Sequence, residues 1–548
     1  MAMATAEIGS SVSLSLLAAQ CTALSANPPR FLPLAAVLAV WWLFTLLLHW
    51  ASPGGPAWGR YWWSRGRPLF PGATAIPGPR GLPVVGSMGL MSGLAHRKLA
   101  AAADAIPGAR RLMALSLGHT RVVVTCDPEV AKDILNSSDF ADRPVKQSAY
   151  SLMFHRAIGF APYGAYWRAL RRVAATHLFS PKQVAAFALH RAEVAAEMVR
   201  ALDGLVAAGG PVQVRTVLKR ASLNHAMRFV FGRQYTIGCE SQEAMELRSL
   251  VEEGYDHLGK LNWADHLPFL SSLDLQRVRR DCSGLVRRVN RFVTRIIEQH
   301  RVDRELDSAA PPGDFVDVLL SLEGPDKLSD TDMVAVLWEM IFRGTDTVAV
   351  LIEWVMARLV MEREVQGKLQ AELDDADRAV TGTETFLAPP YLQAVIKETL
   401  RMHPPGPLLS WARLSTSDAS VGDGAYVVPA GTTAMVNMWA IARDPRVWPH
   451  PLRFDPARFT GPAAEFTVMG SDLRLAPFGA GRRSCPGKGL AMATVELWVA
   501  ALAQAFEWRP PSEDCASVDL SEELRLSCEM ASPLSVRLRR RPAQRVVP

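Results

Sequence analysis

PFGAGRRSCPGKGL, residues 477–490, puts four glycines, two adjacent arginines and one cysteine into a single loop. Packing alone does not call for a cysteine there. The loop runs directly into GKGLAMATVELWVAALAQAF, an apolar stretch that reads as a helix, and Pro486 suits the first turn of that helix. Backbone N–H groups at a helix start face a preceding sulfur and favour its thiolate. Gly479 and Gly481 let the backbone pass close to a flat partner. Two other readings stand beside this one. A phosphate cradle needs G-x-x-x-x-G-K-[ST], which is absent. A buried structural cysteine is the second.

The remaining composition bounds what the loop serves. A chain of 548 residues, 49% of them hydrophobic, can bury a large core. The net charge of +6 sits at the ends. Arg537, Arg539, Arg540, Arg541 and Arg545 crowd the last twelve residues, and five arginines face only Glu7 in residues 1–80. The body between is slightly acidic, so no nucleic-acid partner is expected. The C-terminal arginines read as a frayed, solvated tail. Seven cysteines without a C-x-x-C argue against a disulfide framework or a zinc finger, and fit a reducing compartment.

FLPLAAVLAVWWLFTLLLHW, Phe31–Trp50, carries no charge while His49 is neutral. At ~1.5 Å per residue it spans about 30 Å, a bilayer core. It is too long, and starts too far in, to suit a cleaved signal peptide. Arg60, Arg65 and Arg67 follow it while only Arg30 immediately precedes it, so the positive-inside rule puts the body in the cytosol. Trp50, Trp58, Tyr61, Trp62 and Trp63 read as an aromatic belt at the headgroups. The Pro- and Gly-rich stretch 71–86 reads as a stiff hinge. The expected organisation is a lumenal segment 1–30, a transmembrane anchor 31–50, a hinge 51–86 and one catalytic domain 87–548. Contact of the apolar stretch 11–25 with lipid is left open.

Amphipathic runs at 162–178, 188–207, 241–260, 275–301, 329–378, 391–401 and 487–505 predict helices. Strand signals are short: 121–125, 425–428 and 432–438. AAPPG, 309–313, reads as a surface loop. The fold class is mainly α with a small β subdomain. The run 328–361 is long enough to cross a whole domain, with Ser329 and Asp332 placed to cap its start. At its middle, Arg343-Gly344-Thr345-Asp346-Thr347 places poor helix formers together; Gly344 alone costs about 1 kcal/mol against Ala. Stability given up in one turn points to a site. The structural reading is that Thr347 bonds back to the Arg343 carbonyl.

Phe478, Gly481, Arg483, Cys485 and Gly487 form F-x-x-G-x-R-x-C-x-G, which resembles the haem-binding loop of the cytochrome P-450 superfamily. The resemblance implies a P-450 fold behind an N-terminal transmembrane helix, with haem b as cofactor and Cys485 as the axial thiolate ligand of its iron. Phe478 would shield the sulfur and Arg483 would pair with a propionate. Glu398-Thr399-Leu400-Arg401 matches the family's E-x-x-R, and Arg458 in FDPARF matches the third member of its buried network, with Ala457 where Glu is common. Trp167 and Arg171 match the W-x-x-x-R helix at the propionates, and Arg168 and Arg172 would add a basic face for an acidic reductase. Residues 343–348 resemble the oxygen-activating motif: Gly344 leaves room for dioxygen, Thr347 relays protons and Asp346 links it to solvent. Arg343 and Val348 depart from that motif. An arginine there is expected to turn outward or to meet a propionate or an Asp.

Longer stretches, among them WEMIFRGTDT (338–347) and HPPGPLLSWARL (403–414), look like the plant subfamily 78A. That group is associated with organ, seed and leaf growth, and fatty-acid-like substrates have been proposed for it. The implied activity is a monooxygenase of the endoplasmic reticulum membrane. It would insert one atom of O2 into a hydrophobic small molecule, with electrons from NADPH through a cytochrome reductase. A haem-thiolate isomerase or dehydratase acting on lipid hydroperoxides and a non-catalytic haem sensor are the alternatives. Pocket walls are expected from Phe154, Ile158, Phe160, Leu337, Met340, Ile341 and 407–410.

Overall fold

The computed structural model describes residues 28–65, 75–238, 241–307, 312–379, 386–409, 412–461, 465–470, 472–512 and 517–542. The stretch 11–25, part of the Pro- and Gly-rich hinge, most of AAPPG and Ser410 lie outside them. Thirteen longer helices carry the described residues. They are α1 (Pro28–Ala51), α2 (Pro56–Arg65), α3 (Ala95–Ala105), α4 (Pro128–Asn136), α5 (Ala165–His177), α6 (Ala188–Ala207), α7 (Arg215–Phe231), α8 (Gln242–Gly259), α9 (Val278–Leu306), α10 (Asp330–Met361), α11 (Arg363–Ala379), α12 (Pro390–Met402) and α13 (Lys488–Ala505). The expected run 329–378 is two helices, parted at Glu362, which leaves helical geometry at ψ 75°.

The strands form small sheets: β1 (Met113–Leu117), β2 (Thr120–Thr125), β3 (Val212–Gln213), β4 (Arg413–Leu414), β5 (Ala419–Val421), β6 (Tyr426–Val428), β7 (Thr433–Val436), β8 (Phe506–Arg509), β9 (Glu522–Leu524), β10 (Cys528–Met530) and β11 (Ser535–Arg540). The four-stranded sheet runs β1-β2-β7-β4, with β2 and β7 parallel and Val122 opposite Thr433. β3-β11-β8 makes a second sheet, and β9-β10 and β5-β6 are pairs. Four of the five C-terminal arginines correct the frayed-tail reading, while Arg545 lies outside the described residues. Arg537, Arg539 and Arg540 alternate with apolar residues in β11, paired to β8, and Arg541 joins Asp374 at 2.7 Å. A strand with Val536 and Leu538 facing the core turns Arg537 and Arg539 to its exposed face.

α10 is the spine. Ser329 caps it by accepting from the Asp332 N–H at 3.2 Å, and most of its residues are buried. α7, α13 and α12 pack around it, and Trp338, Trp354 and Trp498 are among the largest enclosed side chains. Burial on this scale, at roughly 25 cal/mol per Å² of apolar surface, is what offsets the ordering of so long a chain.

α1 includes Pro33–Ala51, a helix apolar and long enough to cross a bilayer. The aromatic segment after it is not a belt of headgroup residues. Gly59 of α2 packs on the His49 carbonyl of α1, where a methyl group would overlap. Trp58 is buried, its Nε1 donating to the Leu115 carbonyl of β1 at 3.1 Å, and Tyr61 is buried under the Arg121 guanidinium. Only Trp63 of these four remains largely exposed. The amphipathic period of α2 turns Trp58 and Tyr61 to the sheet, so part of the 51–86 segment packs as body.

Candidate functional site

One face of α10 borders a cavity: Glu339, Met340, Arg343, Gly344, Thr347, Val348 and Leu351 recur at helical spacing along it. The cysteine loop closes the opposite side with Phe478, Gly479 and Arg483–Gly487. Pocket walls expected from Ile158, Met340 and Leu409 are there. Phe154, Phe160, Leu337, Ile341, Pro407 and Leu408 are not: Leu337 and Ile341 lie off the Met340–Thr347 stripe of α10, and Phe154 and Phe160, on the chain before α5, pack into the apolar core. Leu409 holds φ 50°, a strained value for a leucine, where it meets the cavity.

Cys485 is half-buried and faces this cavity. Burial pushes its thiol up; the Gly487 N–H, Arg343, Arg171 and Lys488 draw it back down. Its own N–H donates to the Phe478 carbonyl at 2.9 Å, which tightens the loop. Gly481 must be glycine: φ is +66°, and a methyl group would overlap the Leu135 carbonyl. Gly487 begins α13 with Phe179 against it.

The second thiol of note, Cys528 in β10, groups with His96 and Glu522. This group is already charge-satisfied, because Arg97 meets Glu522 at 2.8 Å. Burial pushes the Cys528 thiol well up, and Cys528 does not border the cavity.

Arginines crowd the wall. Arg483 donates to the carbonyls of Ala141, Ile158 and Ala161 and stacks on Trp167 at 4.3 Å. Trp167 Nε1 donates to the Ile158 carbonyl at 2.9 Å, and Arg171 to the Ser484 carbonyl at 2.7 Å. Sequence reasoning missed Arg143 and Arg413, which also border the cavity. Burial lowers Arg413 to about 9, Arg483 adding to it, and lowers Arg143 further in the field of Arg413, Arg483 and Arg343. Arg413 Nε and Nη1 are buried with no partner among the described residues. Two such donors, and guanidiniums held at close quarters, fit carboxylates brought by a bound group. The haem propionates suit them. Nothing in the local pattern around Arg413 announces this; only the turn from β4 to the loop does.

Thr347 is exposed to the cavity, and its hydroxyl makes no hydrogen bond among the described residues, so the back-bond to Arg343 is not made. Asp346 faces away, pairing with Lys219 of α7 at 3.0 Å. That pair opens on a polar cavity with Glu529 and Arg525. Tyr255 and Ser527 border both cavities. Gly344 borders the first, although a methyl there would point at Ala226 and Phe229 of α7 at ordinary contact. Arg343 borders the cavity rather than turning outward, and its Nε donates to Glu339 Oε1 at 3.0 Å. The carboxylate one turn earlier was overlooked because its neighbours are apolar.

Glu398, Arg401 and Arg458 come together. Arg401 forks onto Glu398 at 2.7 and 2.8 Å, both fully buried, and Arg458 Nε meets Glu398 at 3.2 Å. Arg401 also donates to the carbonyls of Ala442, Pro451 and Arg453, binding the segment that leads to the cysteine loop. Of the basic face, Arg172 pairs with Asp326 at 2.6 Å and Arg168 lies over Tyr163.

A cysteine loop beneath a long helix, ringed by guanidiniums, is the architecture of a haem-thiolate enzyme. The cytochrome P450 family profile matches residues 76–527. The chain is 57% identical to Cytochrome P450 78A9 of Arabidopsis thaliana, over 98% of this chain and 99% of that one. It is 56% identical to Cytochrome P450 78A6 of Arabidopsis thaliana, over 98% and 100%, and 57% to Cytochrome P450 78A3 of Glycine max, over 91% and 93%. The chain belongs to the cytochrome P450 family. As such it is a monooxygenase that carries haem b on a cysteine thiolate and uses O2, a substrate and a redox partner.

Proposed function

We propose that Cys485 is the thiolate ligand and that this enzyme oxidises a hydrophobic small molecule in the cavity between the cysteine loop and α10. The observation that carries the reading is the position of Cys485 on the cavity wall opposite Thr347, while Cys528 lies elsewhere. Haem, when bound, supplies the iron at which dioxygen is split, one atom entering a C–H bond and the other leaving as water. Arg413, Arg483 and Arg171, with Trp167, would hold the propionates. Phe478 packs beside Cys485 and limits water at the sulfur. The Thr347 hydroxyl, free of other bonds, is placed to hand on a proton. Asp346 turns with Lys219 to the polar cavity, so a link from it to that hydroxyl would run past Tyr255 and Ser527, which border both cavities.

The cavity walls are mainly apolar, which supports a hydrophobic substrate, fatty-acid-derived by the resemblance to the 78A group. No flavin or nicotinamide fingerprint is evident in the sequence, so an NADPH-cytochrome reductase is the donor we assign, docking at the basic face of Arg168 and Arg172. The apolar helix α1, with Arg60 just after it, supports a single-pass anchor in the endoplasmic reticulum and a cytosolic body. Regulation of organ or seed growth is the setting that the same resemblance supports. The test is Cys485→Ser beside Cys528→Ser. The reduced, CO-bound Soret band at the long wavelength of a thiolate complex is expected to vanish in the first and persist in the second. The reverse outcome overturns the assignment.

A further inference from the structure

Glu339 is a fully enclosed carboxylate inside an apolar helix. A buried charge is costly unless it is bonded, and here the bonds reach across the cavity. Arg343 Nε donates to it from one turn further along α10. The N–H of Gly159, in the loop before α5, donates to both of its oxygens at 2.9 and 3.0 Å. The Gly159 carbonyl in turn accepts from Arg143 Nε at 3.2 Å. Next to it, the Ile158 carbonyl accepts from Trp167 Nε1 and Arg483 Nη1. Side chains from several parts of the chain thus hold two consecutive residues, and both residues border the cavity. A methyl group on Gly159 would meet the tips of both partners, Glu339 Oε1 and Arg343 Nη2, so the pair and the loop cannot keep this arrangement unless one of them shifts. Arg343 precedes Thr347 by four residues on the same face, so whatever it pins stands one turn from the proposed reacting position.

We propose that the Glu339–Arg343 pair is a specificity-determining latch: it fastens the Ile158–Gly159 loop to α10 and so fixes the width of the cavity facing Cys485, admitting slender apolar molecules and refusing broad ones. The inference rests on the assignment of Cys485 and goes beyond it, since no step of the oxidation requires a carboxylate here. Arg343 and Glu339 act through the loop and are positioning residues. Burial raises the Glu339 carboxyl, while Arg343 and the Gly159 N–H act against that rise.

The test uses the full-length haem protein and three probes of rising width: imidazole, 4-phenylimidazole and a biphenyl-substituted imidazole, with affinity read from the displacement of the Soret band. Wild type is expected to bind the first two and discriminate against the third. Gly159→Ala, which drives the loop off the pair, and Glu339→Gln, which weakens the latch at constant shape, are each expected to narrow that discrimination by about tenfold. Amide exchange at 157–161 should quicken in step. Discrimination unchanged while exchange quickens overturns the proposal, and so does exchange unchanged in both variants. Arg343→Lys, which keeps the charge and loses the Nε bond, supplies the same reading should Glu339→Gln not retain haem. If Cys485→Ser keeps the long-wavelength CO band, the failure belongs to the Cys485 assignment and not to the latch.

Discussion

Among the described residues, two glutamate–arginine pairs within a helix have a buried carboxylate, Glu398–Arg401 on α12 and Glu339–Arg343 on α10. Their chemistry is the same and both carboxylates are fully buried. Their surroundings differ. Arg401 is enclosed, and beyond the fork onto Glu398 it donates to three backbone carbonyls. Arg343 is one third exposed, on the wall of a cavity. The first pair fastens chain to chain; the second fastens a wall around a space. A short helical spacing of opposite charges therefore says nothing of role until the third partner is known.

Removing Glu398 should bring the largest loss. Glu398→Ala leaves Arg401 buried and uncompensated, at about 3–5 kcal/mol, so thermal unfolding should fall steeply and haem retention with it. If Glu339→Ala lowers the midpoint further than Glu398→Ala does, the contrast between the two pairs is wrong.

Thr347→Ala comes next, and it sharpens the contrast from the cavity side. It touches neither pair, so stability and Soret position should hold while product formation falls by about 10²-fold. An unchanged turnover would remove the threonine from the proton route.

Glu339→Gln should cost about 1–3 kcal/mol in a denaturant titration, the scale of a hydrogen bond to a charged group. A loss as large as that of Glu398→Ala would make the two pairs equivalent.

The smallest effect is the pH response of His403, two residues past Arg401. It stacks on Trp354 at 4.0 Å and accepts from Arg358, and burial lowers it to about 3. Unfolded, a histidine titrates near ~6.5, so between these values the unfolded chain binds the extra proton. The contribution is complete above the unfolded value and is lost as pH falls toward about 3. Unfolding temperature should thus decline from pH 7 to pH 5, and His403→Asn should flatten that slope.

The contrast also explains what the sequence could and could not tell. Cys485, Gly481 and Arg483 lie within five residues of one another, and Glu398 with Arg401 within one helical turn, so their spacing alone carries the reading. Most long helices were legible from period, but α7 was not, because it is buried on most sides and shows no single apolar stripe, and neither was the break at Glu362, which no proline or glycine marks. The C-terminal arginines misled because charge density hid an alternating strand. Gly159 with Glu339, Lys219 with Asp346, and Arg413 beside Arg483 are separated by up to about 180 residues. No local rule joins such positions. The polar face of α10 became readable only once Thr347 fixed which stripe meets the cavity.

The packing of α2 has a further bearing. Trp58 is locked onto β1 and Gly59 onto the His49 carbonyl, while Arg60 bonds His119 at 2.7 Å. Such a joint behaves as a bracket rather than a leash. A bilayer that grips the apolar helix would thereby set the bearing of the whole body, and a lipophilic guest would approach the cavity from one fixed side of it.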